Sequence, residues 1–216
     1  MQKVYFISGL GADERVFKYL DLSFCEPVFI PWIKFLKDES LESYANRLRA
    51  SIPDQDPVVV GLSMGGMIAS IMASKEPNMK AVIISSNKNS GEFPPYLRAG
   101  KFAPIYKYFT GKPSLLMRKM IMTTFGSMTK EQEDLLMQLM NETDHEFMHN
   151  AIRAILAWKS DAGISPFNIK HIHGTADMML PYKYVKADYS VKGGTHAMVV
   201  TKPDEVSVLL KKALGV

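Results

Sequence analysis

One pentapeptide in this chain has the residue types and spacing of a nucleophile, Gly61-Leu62-Ser63-Met64-Gly65. An apolar run, 58–60, precedes it and a helical pattern follows it, so Ser63 is predicted to occupy a sharp turn between a strand and a helix. Glycine at both flanking positions relieves the clashes that such a turn creates. The turn would lift the hydroxyl toward the N–H groups and partial positive charge of a helix N-terminus. A glycine-rich turn without catalysis is the simpler alternative.

A serine nucleophile needs a base, and the base needs an acid that orients it. Two downstream segments supply candidates: HGTAD ends at Asp177 after the predicted strand 169–172, and GGTH ends at His196 after the predicted strand 189–191. Both side chains therefore follow the carboxyl ends of strands, where open α/β sheets bind their ligands. We expect Ser63, Asp177 and His196 to meet at that edge.

The elements that must position these residues alternate between strands and helices. Six short β-branched or aromatic runs predict strands, several of them almost continuously apolar, as parallel strands covered on both faces are. These runs are 4–7, 27–30, 58–60, 81–84, 169–172 and 189–191, and helical patterns occupy 40–52, 64–75 and the stretch that Pro203 opens. The alternation predicts an α/β protein with a doubly wound, mostly parallel six-stranded sheet.

The alternation breaks between the fourth and fifth strands. Residues 86–160 contain no convincing strand, and helical patterns follow a proline-rich start at about 114–123, 129–141 and 144–159. We therefore predict a single domain, 1–216, with a core of residues 1–85 and 160–216 and a helical cap inserted at residues 86–159.

The predicted cap is rich in methionine and uneven in charge. Seven of the 15 methionines lie between Met117 and Met148. Methionine suits surfaces that accept varied apolar ligands, although the cap also needs apolar residues for its own core. Residues 86–130 hold eight basic side chains and one acidic, whereas residues 131–146 hold six acidic and no basic ones. The basic half could attract an anionic substrate or membrane surface, or the two halves could pair with each other.

The three motifs GLSMG, HGTAD and GGTHAMVV resemble those of the α/β-hydrolase superfamily, in particular its small members with a helical cap. The resemblance covers residues 1–85 and 160–216. It implies that Ser63 is the nucleophile, Asp177 the orienting acid and His196 the general base.

The resemblance also implies an oxyanion hole formed by the backbone N–H groups of Met64 and Leu10. Family members often carry His-Gly where this chain has Ser8-Gly9. Because the expected donor is a backbone amide, this departure does not remove the oxyanion hole.

Some superfamily members place the acid after the strand that precedes the cap. Here that strand is followed by Ser85-Ser86-Asn87-Lys88, and the first carboxylate beyond it is Glu92. That position is late, which favours Asp177 as the acid.

Two histidine pairs raise the alternative of a metal site. The segment His145-Glu146-Phe147-Met148-His149 is the H-E-x-x-H string of zinc metalloproteases, and His171 and His173 would share one face of a strand. Neither pair has an evident third ligand. We therefore expect no metal and interpret the first pair as a solvated helix face and the second as part of the core.

Composition bounds the remaining possibilities. A chain of 216 residues, 47% of them hydrophobic, is long and apolar enough to bury a sizeable core. The lone Cys25 cannot form an internal disulfide. No apolar run approaches the ~18–20 residues of a membrane span, and no signal peptide is evident, so a cytoplasmic location is expected. The net charge of +4 arises from 26 basic and 22 acidic residues, a balance that does not indicate nucleic-acid binding.

Together these features predict a serine hydrolase that cleaves a carboxylic ester, thioester or related acyl bond through an acyl-enzyme on Ser63, without a cofactor. The expected substrate is a small molecule with an apolar portion. The same fold and triad also serve lyase and carbon–carbon bond chemistry, and a non-catalytic ligand-binding member of the fold is a further alternative. The pentapeptide is compatible with all of these alternatives.

Overall fold

Six strands form one parallel sheet in the computed structural model, which describes residues 1–100, 121–160 and 168–216. The strands are β1 (Gln2–Ile7), β2 (Cys25–Ile30), β3 (Val58–Leu62), β4 (Lys80–Ile84), β5 (Ile169–Gly174) and β6 (Tyr189–Val191). Their order is β2-β1-β3-β4-β5-β6, and every neighbouring pair is parallel. The prediction of a doubly wound α/β sheet from six runs is confirmed, with all strands rather than most of them parallel.

The strand order reverses between β1 and β3, because the chain runs from β1 outward to β2 and then returns to the other side of β1. At such a switch point the loops that leave the two strands diverge to opposite faces and open a crevice. The loop after β1 and the turn that contains Ser63 therefore flank the same crevice.

Helices cover both faces of the sheet. They are α1 (Leu41–Arg49), α2 (Met64–Lys75), α3 (Pro95–Gly100), α4 (Lys130–Glu142), α5 (His145–Ala157), α6 (Met198–Thr201) and α7 (Pro203–Leu214), and residues 121–125 are also helical. Local sequence explains several starts: Thr129 and Gln132 form a capping box at α4, and Pro203 is the first residue of α7. Among the helices of the described ranges, none has the length and apolar character needed to cross a bilayer.

The alternation of side chains along each strand divides the core into two clusters. In β1, Tyr5 and Ile7 pack with α1, α2 and α5 on one face, whereas Val4 and Phe6 pack with α4, α6 and α7 on the other. Burial on both faces explains why these strands are almost continuously apolar.

The described residues between β4 and β5 (85–100, 121–160 and 168) contain helices and loops but no strand. Predicted helices 129–141 and 144–159 correspond closely to α4 and α5. Most of the predicted helix 114–123 lies outside the described residues, as do Met117 and Met120. Both α4 and α5 bury side chains in the clusters that cover the sheet. The division into core and cap stays a prediction.

Candidate active site

Ser63 occupies the turn between β3 and α2 with φ 51° and ψ −115°. A positive φ is unusual for a residue with a side chain and costs about 1–3 kcal/mol, so the surroundings must hold the turn. Close backbone contacts do so: a Cβ atom at Gly61 would overlap the backbone of Gly65, and one at Gly65 would overlap the carbonyl oxygens of Ile7 and Ser8. Both glycines of the pentapeptide are thus required by the packing of the turn.

Ser86 supports the turn from the end of β4. Its hydroxyl donates a hydrogen bond of 2.7 Å to the carbonyl oxygen of Ser63, and the Ser63 N–H donates to the carbonyl oxygen of Ile84. A Cβ atom at Gly66 would lie 2.5 Å from the Cβ of Ser86, so α2 and the segment that follows β4 are in direct contact here. No sequence motif marks Ser86 as part of the site, because serine is common where a strand ends and a loop begins.

Ser63, His196 and Asp177 form an unbroken line of hydrogen bonds. His196 Nε2 lies 2.9 Å from Ser63 Oγ, and His196 Nδ1 lies 2.8 Å from Asp177 Oδ2. A neutral imidazole carries one N–H, and in His196 this hydrogen is on Nδ1, which donates it to the Asp177 carboxylate. Nε2 is then free to accept the proton of the Ser63 hydroxyl. The structure thus brings together the three side chains that the sequence singles out.

The Asp177 carboxylate is buried, and both of its oxygens accept hydrogen bonds. Its Oδ1 accepts the backbone N–H groups of Met179 and Leu180, each at 2.8 Å, while Oδ2 faces His196. Burial alone would raise the pKa of Asp177, but the interactions with His196 and with the Leu180 N–H outweigh it and lower the pKa below its usual value. The side chain is therefore an anion at neutral pH.

The loops that carry Asp177 and His196 lie against each other at glycines. A Cβ atom at Gly174 would overlap the backbone of Gly194, and the Ala176 N–H donates to the Gly194 carbonyl at 2.9 Å. This contact sets the spacing between the loop after β5 and the loop after β6. Asp177 and His196 therefore meet because two backbones approach without side chains between them.

The loop after β1 passes over Ser63. A Cβ atom at Gly9 would lie 3.4 Å from the Cβ of Ser63, so the backbone that leads to Leu10 is adjacent to the nucleophile candidate. Met64 is the first residue of α2, and the N–H of a first helical residue has no acceptor one turn earlier. That Leu10 and Met64 donate to an oxyanion stays a prediction.

Ser8, which stands where superfamily members often have histidine, closes this loop internally. It is buried, and its hydroxyl donates to the carbonyl oxygen of Ala12 at 2.9 Å. The indole N–H of Trp32 donates to the same oxygen at 2.9 Å. The departure from the family pattern therefore has a structural role.

The rival acid Glu92 is engaged elsewhere. Its buried carboxylate accepts the backbone N–H of Lys88 at 2.7 Å and that of Lys186 at 3.2 Å. Burial raises the pKa of Glu92 above its usual value. The hydrogen bonds of Glu92 join the loop after β4 to the segment before β6, whereas Asp177 hydrogen-bonds to the imidazole of His196.

The two histidine pairs occupy different settings. His145 and His149 lie on α5, where Glu146 between them forms an exposed ion pair with Lys34 at 3.3 Å. His171 and His173 are fully buried in β5 and hydrogen-bond to each other. Over residues 1–100, 121–160 and 168–216, no group of three or more histidine, cysteine, aspartate or glutamate side chains could hold a metal ion.

Comparisons with known proteins bear on the fold. Residues 30–107 match a family model described as the alpha/beta hydrolase fold, and no curated protein sequence gives a match. A hydrolase from Pseudomonas aeruginosa PA01 is similar with a TM-score of 0.79 at 11% identity, over 100% of this chain and 91% of that one.

Two further solved structures are similar over nearly the whole chain. A thermophilic esterase from Thermogutta terrifontis has a TM-score of 0.75 at 15% identity, over 99% of this chain and 89% of that one. An epoxide hydrolase from Bacillus megaterium has a TM-score of 0.72 at 14% identity, over 100% of this chain and 94% of that one. The parallel sheet, the strained serine turn and these matches agree with the three sequence motifs: the chain has the α/β-hydrolase fold.

Proposed function

We propose that the protein is a serine hydrolase that cleaves a carboxylic ester or a related acyl bond through an acyl-enzyme on Ser63. The observation that carries the proposal is the line of hydrogen bonds from Ser63 Oγ through His196 to Asp177. The similar structures include esterases but also an epoxide hydrolase. Because one fold hosts several reactions, the support for this reaction comes from the arrangement of the site rather than from the fold.

In the first half of the reaction, Ser63 Oγ attacks the carbonyl carbon of the ester while His196 Nε2 takes the hydroxyl proton. Asp177 holds the Nδ1–H of the imidazole and stabilises the imidazolium that forms. The carbonyl oxygen becomes negative and is held by the N–H groups of Met64 and Leu10. Loss of one such donor typically raises the barrier by about 3–4 kcal/mol. The imidazolium then returns its proton to the departing alkoxide or thiolate.

In the second half, water enters where the leaving group was. His196 Nε2 removes a proton from the water, which attacks the acyl carbon, and Ser63 recovers its proton as the acid departs. Every proton passes through the same nitrogen, so the reaction needs no cofactor.

Apolar side chains next to the loop after β1 and against His196 support a substrate with an apolar acyl portion. A Cβ atom at Gly11, in the loop after β1, would lie 3.4 Å from Met148 Cε and 3.6 Å from Met140 Cγ. Phe125 stacks against the His196 ring at 6.1 Å between centroids. The flexible, polarizable methionine side chains adapt to different acyl shapes. We therefore expect esters with acyl chains longer than acetyl, such as butyrate, to react faster than acetate esters.

The test is a panel of p-nitrophenyl esters and acyl thioesters, run with labelling by a fluorophosphonate probe. Ser63→Ala should abolish both ester turnover and labelling. Ser70→Ala is the matched control, because Ser70 lies on α2, the helix that follows Ser63, and its buried hydroxyl has no hydrogen-bond partner among the described residues. It should retain both signals.

Unchanged turnover in Ser63→Ala would overturn the proposed mechanism. Mass spectrometry of the reacting wild-type protein should find an acyl group on the peptide that contains Ser63. Proton exchange at a substrate carbon without acylation would instead point to lyase chemistry on the same side chains.

A further inference from the structure

Two buried imidazoles, joined by a hydrogen bond, lie next to Asp177 on the side away from His196 Nε2 and Ser63. His171 and His173 point to the same face of β5, and neither has exposed surface. His171 Nε2 lies 2.9 Å from His173 Nδ1, and the two rings are perpendicular. His173 Nε2 lies 2.7 Å from the carbonyl oxygen of Leu180 and 3.5 Å from Asp177 Oδ2. The chain of contacts therefore runs from His171 to Ser63 through three further side chains.

The partners fix the tautomer of each ring. A carbonyl oxygen only accepts, so His173 Nε2 must carry a hydrogen and donate it to Leu180. In a neutral ring His173 Nδ1 is then bare, and His171 Nε2 must supply the hydrogen between the two rings. This leaves His171 Nδ1 as a bare acceptor, and it is a buried atom with no hydrogen-bond partner in the described part of the chain.

Both rings are neutral at neutral pH. Burial lowers the pKa of His171 well below its usual 6.5, and the neighbouring His173 lowers it further. Burial also lowers the pKa of His173, against the opposing effect of Asp177. A cation at either ring would have no accessible water to solvate it.

We propose that His173, with His171 behind it, is a positioning residue that holds Asp177 in the orientation needed for the proposed acyl transfer. The inference rests on that proposed function and adds two residues to it. His173 anchors the Leu180 carbonyl, and the N–H of the same residue, Leu180, donates to Asp177 Oδ1. The backbone of Leu180 is thus held on both sides, by His173 at its carbonyl oxygen and by Asp177 at its N–H.

The same ring acts on Asp177 directly. His173 Nε2, whose hydrogen goes to the Leu180 carbonyl, lies 3.5 Å from Oδ2, the oxygen that binds His196, so the ring acts on the carboxylate as a nearby dipole. A neutral N–H there helps to fix the carboxylate and leaves its charge available to His196, whereas an imidazolium would compete for it. His171 contributes by preventing His173 from adopting the other tautomer, since its own N–H occupies the Nδ1 side.

Other titratable groups surround this pair without replacing it. Asp188 accepts the backbone N–H of His171 at 2.9 Å and pairs with Lys88 at 3.0 Å. In the described ranges, further groups near the pair or Asp177 are Tyr182, Tyr96 and His196. These groups stay unchanged in each variant below, so a changed pH profile would be due to the substituted ring.

The test compares two substitutions of similar size at His173. His173→Met removes the donor, whereas His173→Gln keeps an N–H at similar reach from the backbone. With p-nitrophenyl butyrate, His173→Met should lower kcat by about 10–100-fold with little change in KM, as expected when a group that orients a reacting side chain is removed. His173→Gln should recover most of that loss. The acid limb of the kcat/KM profile should move to higher pH only in His173→Met, because Asp177 loses a neighbouring dipole.

The same comparison applies to His171→Met and His171→Gln, with a smaller loss expected at this second position. Equal kcat values for the Met and Gln variants at His173 would overturn the inference, since a structural role in packing does not distinguish them.

A second measurement uses the wild-type protein and needs no variant to fold. Nitrogen-15 NMR of histidine-labelled protein should show His171 and His173 as neutral Nε2–H tautomers that do not titrate between about pH 6 and 8. An Nδ1–H tautomer or a protonated ring at His173 would contradict the inference. Its failure is separable from that of the proposed function: fluorophosphonate labelling of Ser63 tests the nucleophile alone and does not depend on the tautomer of His173.

Discussion

Phe125 lies against the imidazole of His196, with ring centroids 6.1 Å apart and ring planes 20° from parallel. The two residues come from different parts of the chain, and the hydroxyl of Thr195 joins them by donating to the carbonyl oxygen of Phe125. Gly126 follows with φ 84°, and a Cβ there would lie 2.7 Å from Thr195 Cγ2. A flat apolar surface on one side of the imidazole restricts its rotation without competing for its protons.

Replacement of Phe125 should therefore weaken catalysis without removing it. We expect Phe125→Leu to lower kcat/KM for p-nitrophenyl butyrate by about 3–10-fold, since an aromatic pair contributes about 0.5–1.5 kcal/mol beyond its buried area. Phe125→Tyr keeps the ring and should stay within about twofold of wild type by the same reasoning. Steady-state kinetics decide, and identical values for the leucine and tyrosine variants would show that stacking has no role.

Asp177→Asn should cause a far larger loss with little effect on stability. Because Oδ1 accepts two backbone N–H groups, the asparagine oxygen must take that position, and its NH₂ group then faces His196. That NH₂ group donates to His196 Nδ1, so the imidazole hydrogen moves to Nε2. A protonated Nε2 cannot accept the proton of the Ser63 hydroxyl. We expect kcat to fall by about 10⁴-fold, the typical effect of a wrong histidine tautomer in a serine triad.

The control for Asp177→Asn is thermal unfolding, which should show a melting temperature close to that of wild type because the shape and the two backbone hydrogen bonds are kept. A variant that retains a tenth or more of wild-type kcat would rule out Asp177 as the orienting acid.

Gly66→Ala tests the packing of the serine turn. Helix propensity alone predicts that alanine stabilises α2 by about 1 kcal/mol, but the new Cβ would lie 2.5 Å from Ser86 Cβ. We therefore expect a net loss of about 1–3 kcal/mol in the free energy of unfolding, as overpacking typically causes. Urea denaturation measures the difference.

Removal of the opposing side chain should reveal the contact. In the Gly66→Ala background, Ser86→Gly should destabilise less than it does in wild type, with a coupling energy of about 0.5–3 kcal/mol between the two positions. Strictly additive effects would mean that the backbone relaxes and that the new Cβ of residue 66 does not press on Ser86.

The features that the sequence predicts well depend on neighbours along the chain. The serine turn follows from Gly61 and Gly65 beside an apolar strand, and the positions of Asp177 and His196 follow from the strands that precede them. The ends of elements are less accurate: the predicted helix 40–52 ends at Arg49 in the structure, and the short helix Met198–Thr201 precedes the predicted C-terminal one.

The supporting residues depend on contacts that periodicity does not contain. The H-x-H pattern predicts that His171 and His173 share a face, but not that the segment after Asp177 folds back and presents the Leu180 carbonyl to His173. Phe125 and Ser86 likewise acquire their roles from chain segments distant in sequence. The sequence therefore predicts the candidate catalytic side chains, whereas the residues that hold them are identified only in the structure.

The buried histidine pair should make the stability of the protein sensitive to pH on the acid side. Folding lowers the pKa of both rings below the usual 6.5, so the unfolded chain binds more protons than the folded one below that pH. Stability is then fully present above about pH 6.5 and falls as the pH decreases, by up to about 1.4 kcal/mol per pH unit for each ring. The double variant His171→Gln/His173→Gln lacks these titrations but keeps the other histidines. Urea unfolding between pH 5.5 and 7.5 should therefore show the wild-type free energy falling more steeply than that of the variant, whereas parallel curves would mean that the pair is not held neutral by folding.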